Sequence, residues 1–293
     1  MDYAGFFMLK ESKLRNRKLI KAYLCLFVCL ATRAVHLEVV TDLSSQGFLA
    51  MLKRFVARRG LCQHLYSDNG TNFIGASGEL QEIYKLSKSN EFKTYAKNNM
   101  IYFHFIPAGS SHFGGLWESA VKSFKHHLRR MVSEKKTLTY EEFYTFVVQV
   151  EAVLNSRPLL PMTDDPNDLE TLTPGHFLIG HPLNLVPDLD LQSTPMNRLT
   201  RYQILQSMVQ HLWRRWSTQY LHTLHERSKW QFKTNTENLL GSLVLLKDEN
   251  NPPSKWSIAR IVALHPGKDD ITRVVIVRTS NCNILKRSIV ICG

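Results

Sequence analysis

The opening of the chain alternates between apolar runs and short polar breaks. Residues 1–9 read as one strand, 19–31 as a second and 34–40 as a third, with Val35, Leu37 and Val39 on one face. Arg15, Asn16, Arg17 and Lys18 form the basic turn between the first two. Three strands joined by short turns predict an antiparallel meander. The period then changes. Phe48, Leu52, Phe55 and Val56 fall at helical spacing, with Thr41 or Ser44 placed to cap that helix and Gly60 to end it. Residues 63–67 form a fourth strand that delivers Asp68 to a turn, helices follow over 79–86 and 91–98, and 101–105 is a fifth strand. Three strands followed by alternating helices and strands is the pattern of a mixed sheet covered by helices.

Further on, Gly109, Gly114 and Gly115 with Ser110 and Ser111 predict a loop over 107–115. A helix through residue 132 carries Trp117, Val121, Phe124, Leu128 and Met131 on its apolar stripe. Phe143, Val147, Val150 and Leu154 mark another over 140–155, stopped by Pro158 and Pro161. Residues 164–195 are rich in Pro, Asp and Thr without a sustained period, and read as an extended connection. Residues 198–233 predict a basic helix that buries Leu205, Met208, Leu212 and Trp216. Short strands over 241–247, 257–264, 273–278 and 285–292, separated by Asn/Pro/Gly turns, predict a small β-barrel. The expected domains are 1–163, a linker over 164–197, and a helix-plus-barrel part over 198–293.

Composition narrows the partners. The 293 residues carry a formal net charge of +12 and are 44% hydrophobic, which supports a packed core and favours a polyanionic partner, by default nucleic acid. The five cysteines, Cys25, Cys29, Cys62, Cys282 and Cys292, are odd in number and contain no Cys-x-x-Cys pair. A secreted disulfide framework or zinc ribbon is therefore not expected, Cys25 and Cys29 read as core thiols, and the compartment as reducing. The apolar stretch over 23–28 is too short to span a bilayer, so no membrane partner is expected. Asp2, Lys10 and Glu11 do not suit a secretory leader.

Three carboxylates stand on separate elements: Asp2 on the first strand, Asp68 at the end of the fourth, and Glu118 in the first turn of a helix. Hard oxygen ligands from three elements suit two divalent cations. Read locally, Asp68-Asn69-Gly70 is also an ordinary turn and Glu118 an ordinary first-turn acid. Lys122, Lys125 and Arg129 lie four, seven and eleven positions after Glu118 and share its helical face, either to contact DNA or as a solvated basic face. Asn69, Thr71 and Asn72 suit a turn, His112 a loop surface and Trp117 a core anchor. His126, His127, His176 and His181 lack cysteine partners at zinc-finger spacing and are assigned no metal. In the basic helix and barrel, Arg214, Arg215, Lys255, Arg260, Arg273 and Arg278 are candidates for phosphate contacts, with subunit packing as the alternative role of this part.

Asp2-Tyr3-Ala4-Gly5, Ser67-Asp68-Asn69-Gly70-Thr71-Asn72-Phe73, Gly114-Gly115-Leu116-Trp117-Glu118 and Leu154-Asn155-Ser156-Arg157-Pro158-Leu159, in this order over almost the whole chain, resemble the integrase of BEL/Pao-type LTR retrotransposons. Phe6 departs from the proline usual in the first motif. The resemblance implies an α/β, RNase H-like mixed sheet with flanking helices, followed by a basic helix and a small C-terminal β-barrel. It implies DNA end processing and strand transfer, Asp2, Asp68 and Glu118 as catalytic ligands of Mg2+ or Mn2+, DNA ends and target DNA as partners, a homo-oligomer, and the nucleus. Family members carry a zinc-binding domain upstream, so the expectation is an N-terminally truncated form with weak or no strand transfer. The alternatives are a non-catalytic DNA-binding derivative and an RNase H-like nuclease.

Overall fold

The computed structural model describes residues 1–14, 17–68, 89–98, 101–106, 128, 137–224, 239–248, 251–267 and 272–288. The protein is mixed α/β and divides into two compact units, Met1–Glu151 and Ala152–Gly293.

The first unit opens with three antiparallel strands, β1 (Asp2–Lys10), β2 (Leu19–Val28) and β3 (Val35–Val40), in the order β1-β2-β3. β2 is shorter than the apolar run suggests. Arg33 adopts a φ of 59° and its N–H returns to the Cys29 carbonyl at 2.9 Å, so the turn begins at Cys29. Leu30 is left exposed, and so is Cys29, which is therefore not the core thiol its apolar surroundings predict. Within β1 the pairing jumps from Gly5↔Tyr23 to Phe7↔Ala22, a bulge at Phe6. Gly5 sits there at φ 134°, where a Cβ would stand 3.2 Å from the Ala22 carbonyl oxygen.

Helix α1 (Ser45–Arg59) starts where Ser44 accepts the Gly47 N–H at 3.0 Å, so Ser44 rather than Thr41 is its cap, and it ends at Gly60 with φ 85°. Its buried Phe48, Met51 and Leu52 pack with Cys25, Phe27 and Val40 of the meander and with Leu65 and Ile101. β4 (His64–Asp68) and β5 (Tyr102–Ile106) pair in parallel, with helix α2 (Asn90–Asn98) before β5. The Met1 amino group donates to the Tyr66 carbonyl, so the start of β1 lies beside β4. Helix α3 (Tyr140–Asn155) begins with a reciprocal cap: Thr139 N–H donates to Glu142 Oε2 at 2.9 Å, and Glu142 N–H to Thr139 Oγ1 at 3.4 Å. Phe143 of α3 packs against Phe7, ring centroids 5.2 Å apart. The expected helix over 79–86 and loop over 107–115 lie outside the described residues, as does the helix that follows the loop, except Leu128, which is helical and buried.

The second unit contains a two-residue ladder, β6 (Leu160–Pro161) with β7 (Thr171–Leu172), then the short helix α4 (Pro174–Ile179) and a 3-10 turn at Met196–Arg198. The stretch over 164–195 is thus extended only in part. Thr173 N–H donates to His176 Nδ1 at 3.0 Å, Pro174 opens α4 and Gly180 closes it at φ 80°. Helix α5 (Arg201–Leu224) buries Met208, Leu212, Trp213, Trp216 and Tyr220 along one side. Trp256 meets Trp213, Trp216 and Tyr220 edge-on, with centroids 4.7, 6.0 and 5.4 Å away. Buried Gln210 of α5 accepts Leu191 N–H at 3.0 Å and donates to the Leu189 carbonyl at 2.7 Å, so its amide serves that segment as a strand partner would. The last sheet is an antiparallel meander of β8 (Leu243–Leu246), β9 (Ser257–Pro266), β10 (Thr272–Thr279) and β11 (Ile284–Ser288) in the order β11-β10-β9-β8. Leu246, Ala259, Ile261, Val275 and Val277 form its core. Among the described residues β8 and β11 are its two edges and do not pair.

Candidate active site

Asp2 is the first residue of β1 and pairs with Leu26; its Oδ1 accepts the Tyr3 N–H at 2.7 Å. That contact orients the carboxylate from its own backbone. Tyr3 and Cys25 lie on the neighbouring pair of the same ladder. Burial pushes the Tyr3 phenol well above its usual range and the Cys25 thiol up to about 12, so both stay neutral near Asp2. Asp68 is the last residue of β4 and pairs with Ile106. The Met1-to-Tyr66 contact therefore brings the backbone of two of the three expected metal ligands to adjacent strands. Hard carboxylate donors of this kind suit Mg2+ or Mn2+ rather than softer ions. The side chain of Asp68 lies outside the described residues, and so do Glu118, Lys122, Lys125 and Arg129. Among the described residues no three His, Cys, Asp or Glu side chains gather as a metal cluster.

The candidate phosphate contacts of the second unit divide in two. Arg214 and Arg215 are exposed on α5, beside buried Trp213 and Trp216, and Lys255 and Arg273 are exposed on the β8–β9 turn and on β10. Arg214 also reaches Gln192 Oε1 at 3.4 Å. Arg260 is different: it is buried to 9% exposure and donates to the carbonyls of Gly241, Asp165 and Asp168 at 2.6, 3.0 and 2.6 Å. These contacts of its Nη1 and Nη2 favour a structural role over the expected DNA contact. Arg278 is partly engaged, donating to the Pro166 carbonyl and Asn167 Oδ1 at 3.0 and 3.1 Å.

Sequence reading missed a buried ionic cluster in the first unit. Glu38 of β3 receives Arg54 Nε and Arg58 of α1, each at 2.9 Å, and lies 3.1 Å from His36 Nε2. On its other side His36 Nδ1 lies 3.2 Å from Glu151, which also pairs with Arg59 and accepts the Leu37 N–H. Burial opposes the charge on His36, but its hydrogen bonds to Glu151 and Glu38 outweigh it and raise its pKa. Burial likewise opposes the charge on Glu38, and contacts with His36, Arg54 and Arg58 outweigh it and lower its pKa. The signal was present in His36 and Glu38 alternating with Val35, Leu37 and Val39, but it reads as a solvent face unless α1 and α3 are known to cover it.

Residues 200–292, which include all of α5 and the last sheet, match a family of unknown function (DUF5641). No curated protein matches the chain. Among solved structures the chain is similar to the simian T-cell lymphotropic virus intasome in complex with the PP2A regulatory subunit B56 gamma, at 12% identity over 98% of this chain and 75% of that chain, with a TM-score of 0.37. It is also similar to the HTLV-2 integrase catalytic core domain in complex with magnesium, in its dimeric form, at 17% identity over 53% of this chain and 85% of that chain, with a TM-score of 0.33. Likeness at this level assigns neither fold nor activity.

Proposed function

We propose that the chain is an integrase of the BEL/Pao retrotransposon type, which trims the ends of element DNA and joins them to target DNA. One observation carries the reading. The first residue of β1 and the last of β4, both acids of the motifs quoted above, come to neighbouring strands through the Met1-to-Tyr66 contact. The order of three antiparallel strands, a helix and a parallel pair agrees with an RNase H-like core, although among the described residues the three-stranded and two-stranded sheets are separate.

In this reading Asp2, Asp68 and Glu118 hold Mg2+ or Mn2+, and the bound ions supply an acidified water or hydroxyl and neutralise charge on the phosphate. The chain's own work is positioning. Carboxylates on separate elements fix where the scissile phosphate lies, and Lys122, Lys125 and Arg129 hold the DNA end beside Glu118. Residues 1–163 act as the catalytic core, 164–197 as the connection, and 198–293 as the part that holds DNA through Arg214, Arg215, Lys255 and Arg273. The working form is a homo-oligomer on paired DNA ends in the nucleus.

Strand-transfer assays with labelled DNA ends and Mg2+ or Mn2+ test the proposal. Asp68→Asn and Glu118→Gln are expected to abolish joining while circular dichroism stays unchanged. Joining at the unaltered rate by either variant rejects the assignment, and DNA binding by the unaltered chain without any joining favours a non-catalytic DNA-binding derivative.

A further inference from the structure

The parallel β4–β5 pair carries four rings on one face. The register sets His64 opposite Tyr102 and Tyr66 opposite His104, and two-residue spacing on each strand keeps all four on the same side. His64 stacks on Tyr102 with centroids 5.4 Å apart and planes 24° apart, and His104 stacks on Tyr66 at 4.7 Å and 17°. The two imidazoles meet on the diagonal, with His64 Nδ1 3.0 Å from His104 Nε2. Tyr102 is 61% exposed and Tyr66 40%, so solvent reaches this face.

We infer that His64 and His104 form a binding site for a borderline transition-metal ion, Cu2+, Ni2+ or Zn2+, distinct from the carboxylates proposed for Mg2+. Three features carry it. Imidazole nitrogen is the donor these ions take and Mg2+ does not. Two metal–nitrogen bonds of about 2.0–2.1 Å fit a nitrogen separation near 3 Å as neighbouring coordination positions. Each ring is propped by a tyrosine of the other strand, so both donors are oriented before any ion arrives. In the neutral pair one facing nitrogen donates its N–H to the other. On binding, that ring carries its proton on its second nitrogen instead, both facing lone pairs bond to the ion, and no net proton is released. Water completes the coordination. The ion ties β4 to β5 across 40 positions of chain and so stabilises the strand that ends at Asp68.

Equilibrium dialysis of the full chain against CuCl2, NiCl2, ZnCl2 and MgCl2 tests this. Expected are tightest binding of Cu2+, weaker binding of Ni2+ and Zn2+, and none of Mg2+ at this site. His64→Phe and His104→Phe keep a ring to stack on the tyrosine, and each should weaken Cu2+ and Zn2+ at least tenfold. The double variant should lose one equivalent of Cu2+ and the rise in Tm that Zn2+ gives the unaltered chain. Unchanged stoichiometry and affinity in the double variant overturns the site. A measurement on the unaltered chain guards against misfolded variants: one equivalent of Zn2+ should slow diethyl pyrocarbonate modification of His64 and His104 at least tenfold, mapped by mass spectrometry. Modification at an undiminished rate overturns the proposal on its own. Neither outcome bears on strand transfer, which is read with Mg2+.

Discussion

Glu151 accepts the backbone N–H of Leu37 at 2.7 Å across 114 positions of chain. Among the described residues β3 is an edge of its sheet, and an edge N–H under a helix takes its acceptor from a side chain instead of a neighbouring strand. The same carboxylate holds His36 and Arg59.

Removing it should therefore be costly. Glu151→Ala leaves the Leu37 N–H without its acceptor and Arg59 without its carboxylate, while Glu38 still holds His36, and is expected to destabilise the first unit by about 1–3 kcal/mol. Urea titration followed by Trp or far-UV signals measures it. A loss below about 0.5 kcal/mol, the range of ordinary surface substitutions, contradicts the role.

The cluster also sets a pH window. The folded pKa of His36 is raised, so its contribution is complete below the unfolded imidazole value and is lost as pH rises through the folded one. The folded pKa of Glu38 is lowered, so its contribution is present above the unfolded carboxylate value and is lost as pH falls through the folded one. Stability from this cluster should peak between those limits, at about pH 5–6. His36→Gln should flatten the alkaline side of a Tm-against-pH curve and leave the acid side sloping. Superimposable curves for the two proteins remove His36 from the account.

Thiol chemistry separates two cysteines four residues apart. The Cys25 thiol is buried and pushed up to about 12. Cys29 is exposed; partial burial works against its thiolate, but hydrogen bonds from Thr32 and Ala31 and the charge of Arg33 prevail and lower its pKa. The thiolate is the reacting species, so iodoacetamide at neutral pH should label Cys29 in the native protein and spare Cys25. Equal labelling of the two would show that the core around Cys25 opens readily.

Arg260 and the Arg214–Arg215 pair should fail in different ways. Arg260→Met removes the donor to three part-buried carbonyls and is expected to cost about 1–3 kcal/mol of stability, with the salt slope of DNA binding unchanged in protein that stays folded. Arg214→Ala with Arg215→Ala should leave stability within about 0.5 kcal/mol and reduce the slope of log K against log salt by about two, if each contacts one phosphate. Denaturation and DNA binding at several salt concentrations check both, and an unchanged slope in the double variant makes those arginines a solvated face.

Periodicity made much of the fold legible. The three-strand meander, α1 with its Ser44 and Gly60 ends, the strand reaching Asp68, and α3 all follow from patterns a chain displays openly. Local conformation is harder to read. Leu30 and Ala31 look like more strand, yet they lie in the turn that Arg33, at φ 59°, closes back onto Cys29. Helix α4 is six residues long, too short for a period, and only Thr173, Pro174 and Gly180 mark it. Burial is harder still. Nothing near Arg260 in the sequence distinguishes it from Arg273, because two of the three carbonyls that hold its guanidinium come from residues more than ninety positions away. Of the expected metal ligands, Asp2 and the backbone of Asp68 are placed; their partnership with Glu118 rests on the motifs.

The extra residue in β1 has a bearing on Asp2 that its chemistry does not reveal. In an unbroken strand, even-numbered positions share one face and odd-numbered positions the other. Here Asp2 and Ala4 pair with Leu26 and Leu24, and Phe7 with Ala22, so an even-numbered acid and an odd-numbered phenylalanine stand on the same side of the sheet. Phe6 is the half-step that makes this possible. Deleting Phe6 would leave Gly5 opposite Tyr23 and Asp2 opposite Leu26, and so would keep the face of Asp2. Pairing Phe6 in register opposite Tyr23 would do the reverse: Phe7 and Leu9 stay anchored in the core, and everything before Phe6 turns by one face. Asp2 would then emerge on the side now held by Tyr3 and Cys25, with its identity intact and its address wrong. The position of the first acid is thus set by counting: one residue left out of the ladder decides which way it faces.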